Sequence, residues 1–272
     1  MSPPADDQEL VTELITPQPA IALANLIGAD IPHGSLPPLW NWVYLLARRP
    51  HADLGPDGHP TSGVPAPPGP GQRRMFAGGR VTTYGNLIFG EEATRLTRVL
   101  TTTNKVGKSG PLTFVTVRNE ITQNGEVRIV EDNDIVYRGE STGAHTRPAA
   151  AEIPEREARL DLSMDEALLF RFSALTYNAH RIHYDHNWAA HEGYPGLVVH
   201  GPLQALLMGE LFRRSGTSLT GQTFAYRLVA PMIGVQRLSV VAAQDGLLKG
   251  GASVYNARGG ETANGSLEPL AT

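Results

Sequence analysis

The stretch FSALTYNAHRIHYD, residues 172–185, is the most informative part of this chain, and YPGLVVHGPL follows it at residues 194–203. Upstream, the capping-box spacing of Ser163 and Glu166 predicts a helix that starts there and runs into the first of these stretches. The polar residues in the middle of that stretch compete with the helical backbone for hydrogen bonds, so a loop should follow. Pro202 then opens a second helix whose leucines recur at helical spacing, which predicts a buried helix after the loop.

Both halves of the chain combine one helix with several strand-like segments. An apolar helical run is predicted from Pro38 to Arg49 in the first half, and the helix from Pro202 should end near Arg214 in the second. The strand-like segments are PLTFVTVRNEITQ (111–123), EVRIVEDNDIVYR (126–138), FAYRLVAPMIGV (224–235), RLSVVAAQ (237–244) and GGASVYNAR (250–258). Asn-Gly at 124–125 and Asp-Gly at 245–246 predict tight hairpins. A helix packed on a curled antiparallel sheet in each half is an α+β architecture.

Two irregular stretches organise the chain. Residues 141–158 break the pattern between halves of similar size, so we expect two domains, residues 1–145 and residues 146–272. Residues 50–71 are crowded with Pro and Gly and can hold neither a helix nor a central strand. This stretch is either a plain surface loop or a cover over a pocket, because structureless loops of such length are often binding loops.

Composition excludes several classes of function. The 272 residues carry a net charge of −4, so no basic face for nucleic acid is expected. Cysteine is absent, which excludes disulfides, thiolate metal sites and cysteine nucleophiles. The start has neither a signal pattern nor a transit pattern, and no run of about 18 apolar residues occurs. We therefore expect a cytoplasmic protein without a membrane span.

Histidines concentrate around the polar loop, where five of the nine fall between His180 and His200. They suit acid–base chemistry, because the ordinary pKa of histidine, about 6.5, lies close to neutral pH. Two other interpretations stay open: ordinary loop or interface histidines, and a metal site formed by His180, His183 and Asp185. The helical zinc motif with two histidines around a glutamate is absent, so the sequence predicts no metal.

The start of the second helix is a candidate for binding a carbonyl oxygen. Helix N-termini present unpaired N–H groups and the positive end of the helix dipole. Gly201 has no side chain, so a carbonyl oxygen could come close to its N–H. Such a donor would stabilise negative charge on a thioester oxygen, which predicts an oxyanion hole at Gly201. The alternative is that Gly201 only makes a tight turn into the helix.

The two informative stretches resemble the enoyl-thioester hydratases and dehydratases of the hot-dog fold, the MaoC-like or type 2 hydratase group. Their usual motif, Gly-Asp-x-Asn-Pro-x-His, corresponds to residues 177–183, where only His183 is retained. Asn178 stands in place of Asp, and His180 and Arg181 replace Asn and Pro. Segments of the first half are similar, in the same order, to the branch of the mesaconyl-C4-CoA hydratases and type 2 hydroxyacyl-thioester dehydratases. These segments are LPPLWNWVYLL, LGPDGHP, RRMFAGGR, SGPLTFVTVRNEI and DNDIVYR.

The resemblance implies a double hot dog, with two curled antiparallel sheets, each wrapped around a long central helix. It implies a hydro-lyase that reversibly hydrates an α,β-unsaturated acyl-CoA, such as the short, branched, dicarboxylic mesaconyl-C4-CoA. His183 would be the base, Asn178 would hold the water, and His180 would share the proton transfers, since an amide cannot take up a proton. Coenzyme A would be part of the substrate, with no separate cofactor, and a homodimer is expected by analogy.

A coenzyme A thioester would need cations for its phosphates, and a dicarboxylic acyl group would need one more. Tyr177 and Arg181 on the polar loop are expected to contact the substrate, and Arg181 or Arg80 to bind the free carboxylate. The other candidate cations are Arg73, Arg74, Lys105 and Lys108. Three alternative functions stay open: a dehydratase of acyl-carrier-protein thioesters, a hot-dog thioesterase and a non-catalytic acyl-binding module.

Overall fold

The computed structural model describes residues 8–69, 72–107, 110–139, 150–243 and 251–270. In these ranges ten strands form one antiparallel sheet, and β2 and β4 form a separate pair. The strands are β1 (Gln8–Leu14), β2 (Ser35–Leu36), β3 (Gln72–Thr83), β4 (Leu87–Ile88), β5 (Glu92–Gly107), β6 (Gly110–Gln123), β7 (Glu126–Gly139), β8 (Arg159–Met164), β9 (Gln222–Leu228), β10 (Gln236–Ala242), β11 (Gly251–Tyr255) and β12 (Glu261–Pro269). The α-helices are α1 (Pro17–Ile27), α2 (Glu166–Leu175), α3 (His186–His191) and α4 (Gly201–Arg214). Among the described residues, no helix is both long and apolar enough to cross a bilayer.

The large sheet consists of two five-stranded halves with the same internal order. The strands follow one another as β1-β5-β6-β7-β3 in the first half and as β8-β10-β11-β12-β9 in the second. The halves join where β3 pairs with β9, from Gly78↔Arg227 to Thr83↔Gln222. Each half thereby protects one edge strand of the other. The expected domain boundary at residue 145 lies outside the described residues and stays a prediction.

The hairpin between β6 and β7 is confirmed. Asn124 and Gly125 both have positive φ, 55° and 76°, as a two-residue type I′ turn requires. Pairing resumes directly beside the turn at Gln123↔Glu126. The second predicted hairpin, at residues 245–246, lies outside the described residues.

The central helix of the second half is α4, as predicted. All residues from Leu203 to Phe212 are buried, because β8, β10, β11 and β12 surround the helix and β3 also contacts it. Each fully buried leucine side chain contributes about 1.5–3 kcal/mol to this packing. The buried carboxylate of Glu210 is paired with Arg213 and Arg214, at 2.8 and 2.7 Å. The helix is therefore held in place from all sides, which fixes the position of its N-terminus.

The helical run predicted from Pro38 to Arg49 is wrong. Only Trp40–Val43 forms a short 3-10 turn, and Tyr44 is extended. Leu39 and Leu45 have φ of 71° and 52°, which a right-handed helix excludes. The apolar side chains of this run are buried although the backbone is not an α-helix. The apolar character of the run therefore reflects burial and not helical periodicity.

The helix of the first half is instead α1, Pro17–Ile27. Proline occupies its first turn, and Gly28 closes it in the left-handed conformation with φ of 66°. Tyr44 ties the misassigned segment to this helix, because its hydroxyl donates to Thr16 O at 2.5 Å and accepts from Ala20 N at 3.0 Å.

In the second half, α2 begins later than the capping-box spacing predicts. Ser163 lies in β8, and Asp165 is the N-cap, whose Oδ1 accepts from Leu168 N at 2.7 Å. The helix ends as predicted, where Thr176 Oγ1 donates to Phe172 O at 2.8 Å. Tyr177 then turns the chain with a φ of 52°, and the polar loop begins.

Candidate active site

Four imidazole rings meet beside the N-terminus of α4. The rings of His183 and His200 stack, with centroids 3.7 Å apart and an interplanar angle of 18°. His180 meets the edge of His183 at a centroid distance of 5.6 Å, and His59 lies 4.1 Å from His180. His59, His180, His183 and His200 thus form a continuous series of contacts, called here the histidine row.

The ring of His183 has a fixed tautomer. It ends a short 3-10 turn, Arg181–His183, and its Nδ1 lies 2.7 Å from Val198 O. A carbonyl oxygen can only accept, so Nδ1 carries the proton and Nε2 keeps its lone pair. Val198 N also donates to Ile182 O at 2.9 Å, which secures the same turn. Among the described residues nothing hydrogen-bonds to Nε2, so this atom is free to act as a base.

His200 and Gly201 join the histidine row to the start of α4. His200 is the N-cap residue and is 1 % exposed; its Nε2 lies 2.8 Å from Ser173 Oγ. Nδ1 of His200 and the N–H of Gly201 have no partner among the described residues. Because His183 stacks on the residue that precedes Gly201, the structure brings the predicted base and the predicted oxyanion donor to one place.

Glycine at position 201 makes room for a neighbouring side chain, a contact that the sequence did not indicate. A Cβ added to Gly201 would lie 2.2 Å from Cδ1 of Leu228, at the end of β9. A side chain at position 201 would therefore force the side chain of Leu228 to move. The N–H of Gly201 belongs to the first turn of the helix, where N–H groups have no acceptor within the helix.

His180 is held by two polar neighbours. Its Nε2 lies 3.3 Å from Glu192 Oε1, and its backbone N–H donates to Asn178 Oδ1 at 3.0 Å. Trp188 Nε1 donates to the same oxygen of Glu192 at 2.7 Å. Burial raises the pKa of Glu192, but the hydrogen bonds from His180 and Trp188 outweigh it and the pKa is lowered. An ionised carboxylate therefore orients His180.

The Pro- and Gly-rich loop of the first half supplies a second carboxylate–imidazole pair. Asp57 Oδ2 lies 2.9 Å from His59 Nδ1, and Asp57 Oδ1 accepts from the His59 N–H at 2.9 Å. Gly58 packs directly on the polar loop, because a Cβ there would lie 1.8 Å from Ala179 O. Arg181 N donates to Asp57 O at 2.9 Å. This loop therefore covers the polar loop and completes the histidine row.

Burial favours the neutral form of three rings of the row, His59, His183 and His200. Burial, reinforced by the neighbouring His180, lowers the pKa of His183 to about 3. Burial and then His183 hold the pKa of His200 well below its usual value. Burial also lowers the pKa of His59, although its hydrogen bond to Asp57 opposes the shift. A neutral His183 with a lone pair on Nε2 is ready to accept a proton.

Two cavities adjoin the histidine row and share Ala47 and Asn178 in their linings. The first, called here the Arg74 cavity, has a volume of about 370 Å³; its lining includes Arg74, Arg95, Glu131, Asn178, His200 and Pro202. The second, the Tyr177 cavity, has about 340 Å³ and is lined by Gly58, His59, Ser173, Tyr177, Asn178 and Tyr184 among others. Both volumes are in the range of small-molecule sites. Asn178 therefore lies between two spaces that a substrate could occupy.

The predicted cations on or near the polar loop differ in how they are engaged. Arg181 pairs with Asp185 at 2.6 Å and lies over the ring of Trp188, 4.3 Å from its centroid. Arg73 Nη1 donates to Glu192 O at 2.6 Å. Arg74 lines the cavity named after it, next to Asn178 and His200, and no described residue pairs with its guanidinium.

The other predicted cations lie elsewhere. Arg80 pairs with Asp134 at 3.0 Å, and Lys105 lies over the ring of Phe114, 5.2 Å from its centroid. Both line a separate cavity of about 880 Å³ whose lining contains none of the four histidines of the row. Lys108 lies outside the described residues. The structure does not bring Arg80 to the histidine row.

A divalent metal ion would find a different set of ligands from the one considered above. Ligand atoms of Asp57, His59 and His180 lie within 4.8 Å of one another. Asp185, in contrast, pairs with Arg181 and caps α3, and Nδ1 of His183 is bound to Val198 O. Nδ1 of His59 already bonds Asp57, and the ring of His59 is tilted by 38° against that of His180. The absence of a metal stays a prediction.

Several residues of this site were missed in the sequence. Asp57, His59, Glu192 and His200 were not recognised as site residues, and Ser173 was not considered. For Asp57 and His59 a signal existed, because LGPDGHP is one of the segments that resemble the family. Glu192 and His200 could be placed only once α3 and α4 were packed against the polar loop.

Comparison with known proteins gives the same family as the motif. The family model of hydroxyacyl-thioester dehydratase type 2 matches residues 39–234. The mesaconyl-C(4)-CoA hydratase of Chloroflexus aurantiacus is 46 % identical to this chain over 222 residues, which covers 80 % of this chain and 79 % of the relative. The family match therefore includes both the Pro- and Gly-rich loop and the polar loop.

Solved structures give the fold. A MaoC-like dehydratase from Phytophthora capsici superposes with a TM-score of 0.68 at 16 % identity and covers 98 % of this chain and 97 % of its own. A Mycobacterium tuberculosis protein described as a double hot dog superposes with a TM-score of 0.55 at 14 % identity, over 96 % and 95 % of the two chains. The double hot-dog architecture is therefore confirmed, with its two half-sheets joined through β3 and β9.

Proposed function

This chain belongs to the hydroxyacyl-thioester dehydratase type 2 family and is a hydro-lyase of acyl-CoA thioesters, and we propose that it hydrates a short, branched, dicarboxylic enoyl-CoA of the mesaconyl-C4 type. The observation that carries the proposal is the state of His183, a neutral imidazole with a free Nε2 beside the start of α4. The name of the relative that is 46 % identical supports the acyl group. Dehydration of the hydroxyacyl product is the reverse path on the same groups.

In the proposed reaction, water adds across the double bond that is conjugated to the thioester. Nε2 of His183 takes one proton from water while the oxygen forms a bond to the β-carbon. The electron pair of the double bond shifts toward the thioester carbonyl, whose oxygen receives the N–H of Gly201. Protonation of the α-carbon restores the carbonyl, so that H and OH have both been added. A positioned base contributes about 10²–10⁴ to such a rate.

The proton for the α-carbon needs its own donor. Asn178 cannot be that donor, because an amide does not titrate in this range. We propose that Asn178 holds the water and that the proton returns through the histidine row. His183 carries the proton that Nε2 has taken from water and can return it directly or pass it to His180 or His59. Nε2 of His59 is free to receive this proton because Nδ1 is bound to Asp57.

The test of this function is hydration by the purified protein. Mesaconyl-C4-CoA, itaconyl-CoA and crotonyl-CoA would be offered, with water addition followed by mass and loss of the conjugated thioester by absorbance. We expect turnover of the mesaconyl thioester and a loss of about 10² or more in kcat for His183→Gln. His180→Ala should lose less of kcat, because the ring of His180 only meets the edge of His183 and lies further along the histidine row from the start of α4.

The matched control is His186→Gln, since the side chain of His186 is 64 % exposed on α3 and lies outside the histidine row. This variant should keep wild-type kcat. Near wild-type turnover by His183→Gln would disprove the assigned base, and no turnover of any enoyl-CoA by the wild type would disprove the substrate class. Release of free thiol in the same reactions measures the thioesterase alternative, and thioesters on acyl carrier protein measure the other dehydratase alternative.

Assembly and location are part of the same proposal. A homodimer would have twice the 29.3 kDa mass of the chain, which light scattering on the purified protein can measure. The cytoplasmic location also stays a prediction, and fractionation of the source cells tests it.

A further inference from the structure

Unlike Arg73 and Arg181, Arg74 has no hydrogen-bond or ion-pair partner among the described residues. It belongs to β3 and lines the Arg74 cavity with Asn178, His200 and Pro202. No hydrogen bond or ion pair to its guanidinium occurs among the described residues, whereas Arg181 is paired with Asp185 and Arg73 is bound to Glu192 O. A guanidinium facing a cavity without a partner is available to a bound anion.

The other charged groups that line this cavity lie near opposite charges or hydrogen-bond donors, although Nε of Arg95 has no hydrogen-bond partner among the described residues. Arg95 has Glu9 at 3.9 Å, and its pKa is lowered by burial while Glu131 and Glu9 oppose that shift. Glu131 accepts from Asn41 Nδ2 at 2.6 Å, from Trp42 Nε1 at 2.8 Å and from Asn119 Nδ2 at 3.1 Å. Glu131 is therefore satisfied without Arg74.

Arg74 also lies within electrostatic reach of the acid–base groups. Burial lowers its pKa, and the nearby Tyr137 and Asp57 oppose that shift. Arg74 in turn is one of the charges that lower the pKa of His59, after burial and His180. Asp57 is itself engaged by His59 through two hydrogen bonds. The guanidinium is thus partly desolvated beside the histidine row, where an additional anion would be stabilised.

The chemistry of the proposed substrate places its second carboxylate at that position. In a mesaconyl group esterified at C4, the free carboxylate is attached to the β-carbon, the atom that receives the hydroxyl group. Its binding partner must therefore lie next to the base that activates water. Arg181 and Arg80, which the sequence offered for this role, are paired with Asp185 and Asp134.

We propose that Arg74 binds the carboxylate on the β-carbon of the acyl group and makes the enzyme specific for dicarboxylic enoyl-CoA thioesters. This inference rests on the proposed function and names the residue that selects the substrate. The planar guanidinium can hold both carboxylate oxygens, which fixes the rotation of the β-carbon relative to His183.

Binding without turnover gives the first test. Succinyl-CoA carries a carboxylate on its β-carbon and no double bond, whereas butyryl-CoA carries a methyl group there. By calorimetry, the wild type should bind succinyl-CoA more tightly than butyryl-CoA, and Arg74→Met should lose about 10²-fold in affinity for succinyl-CoA alone. Arg74→Lys keeps the charge without the fork and should lose less. Arg237→Met, which removes an exposed arginine paired with Asp161, is the matched control.

Turnover gives the second test. Mesaconyl-C4-CoA and 3-methylcrotonyl-CoA differ by a carboxylate in place of a methyl group on the β-carbon. Arg74→Met should lower kcat/KM about 10²-fold for the first and within threefold for the second. An equal loss on both substrates, or a wild type that binds both saturated thioesters equally, would overturn the role of Arg74. A wild type that hydrates only the uncharged thioester would overturn it too, while leaving the hydratase function intact.

Discussion

At the scale of single residues, the catalytic potential of this site depends on hydrogen bonds that choose tautomers. The carbonyl of Val198 holds the proton of His183 on Nδ1, and the carboxylate of Asp57 does the same for His59. Both rings therefore keep a free Nε2 lone pair. This site therefore offers two candidate bases, His183 and His59, where the usual motif of the family has one aspartate and one histidine.

A prediction for His59 follows from that tautomer. His59→Gln removes the titratable ring but keeps a polar side chain, and we expect kcat to fall about tenfold or more if the row shares the proton transfers. Asp57→Asn should lower kcat by a smaller factor, because the ring stays but loses its orienting charge. Steady-state kinetics on the preferred enoyl-CoA measure both. If His59→Gln keeps full kcat, His59 takes no part in the proton transfers.

Part of this site could be predicted from the sequence, and the rest could not. His183, His180 and Asn178 lie within one short loop, so local spacing was enough to group them, and Gly201 follows at the start of α4. His59 lies more than a hundred positions away from that loop, and only the docking of Gly58 on Ala179 brings it there. Spacing along the chain carries no information about such a contact.

At the scale of elements, the site is formed by two loops from different halves. The Pro- and Gly-rich loop reaches the polar loop through Gly58, whose φ is 89° and whose missing Cβ makes room for Ala179 O. Pro56 O also accepts from Arg181 Nη1 at 3.0 Å. The loop of the first half is thus part of the candidate active site and not only a connection.

Gly58→Ala tests that docking. The added Cβ would lie 1.8 Å from Ala179 O on a backbone conformation that alanine rarely adopts, so the loop must move away. We expect kcat/KM to fall at least about tenfold, because His59 and Asp57 move with it. The melting temperature should change little, since the core around α4 is untouched. Gly90→Ala is a matched control, with φ of 84° and no neighbour within 4 Å.

The misassigned helix of the first half shows where periodicity fails. The run from Pro38 to Arg49 is apolar, and an apolar run without regular spacing is compatible with any buried conformation. Leu39 and Leu45 adopt positive φ because their side chains fill the core from a turn, which local propensity disfavours. The strands on either side of Asn124-Gly125 were predictable, since both alternation and turn chemistry agreed there.

At the scale of the whole molecule, the two halves share one fold but contribute different groups to the candidate site. Both halves have the same strand order. Three members of the histidine row, His180, His183 and His200, belong to the second half, whereas the first half contributes His59 and Arg74. The junction of β3 with β9 makes the two halves one sheet, so Arg74 on β3 has a fixed position relative to α4. A substrate bound between the halves therefore meets its base from one and its charge from the other.

The buried histidines make the stability of the whole fold depend on pH. The pKa of His183 is lowered to about 3 and that of His200 lies well below its usual value, whereas an unfolded chain has histidines near 6.5. Below that pH the unfolded state binds protons that the folded state does not, so stability is present above about 6.5 and is lost as the pH falls. Between pH 7.5 and 5.5 each such histidine should cost about 1.4 kcal/mol of unfolding free energy.

Urea unfolding at pH 7.5, 6.5 and 5.5 measures this loss, in a window where the carboxylates do not titrate. The wild type should lose about 2.8 kcal/mol through His183 and His200 together, with a further loss of the same sign through His59. His183→Gln should lose about 1.4 kcal/mol less than the wild type, because one proton uptake has been removed. The side chain of His186 is 64 % exposed and lies outside the histidine row, so His186→Gln should retain the full dependence. A wild-type stability that is flat over this range, or a His183→Gln variant with the same dependence as the wild type, would show that folded His183 takes up its proton near the ordinary pKa of histidine, which would contradict the lowered pKa assigned to this buried ring.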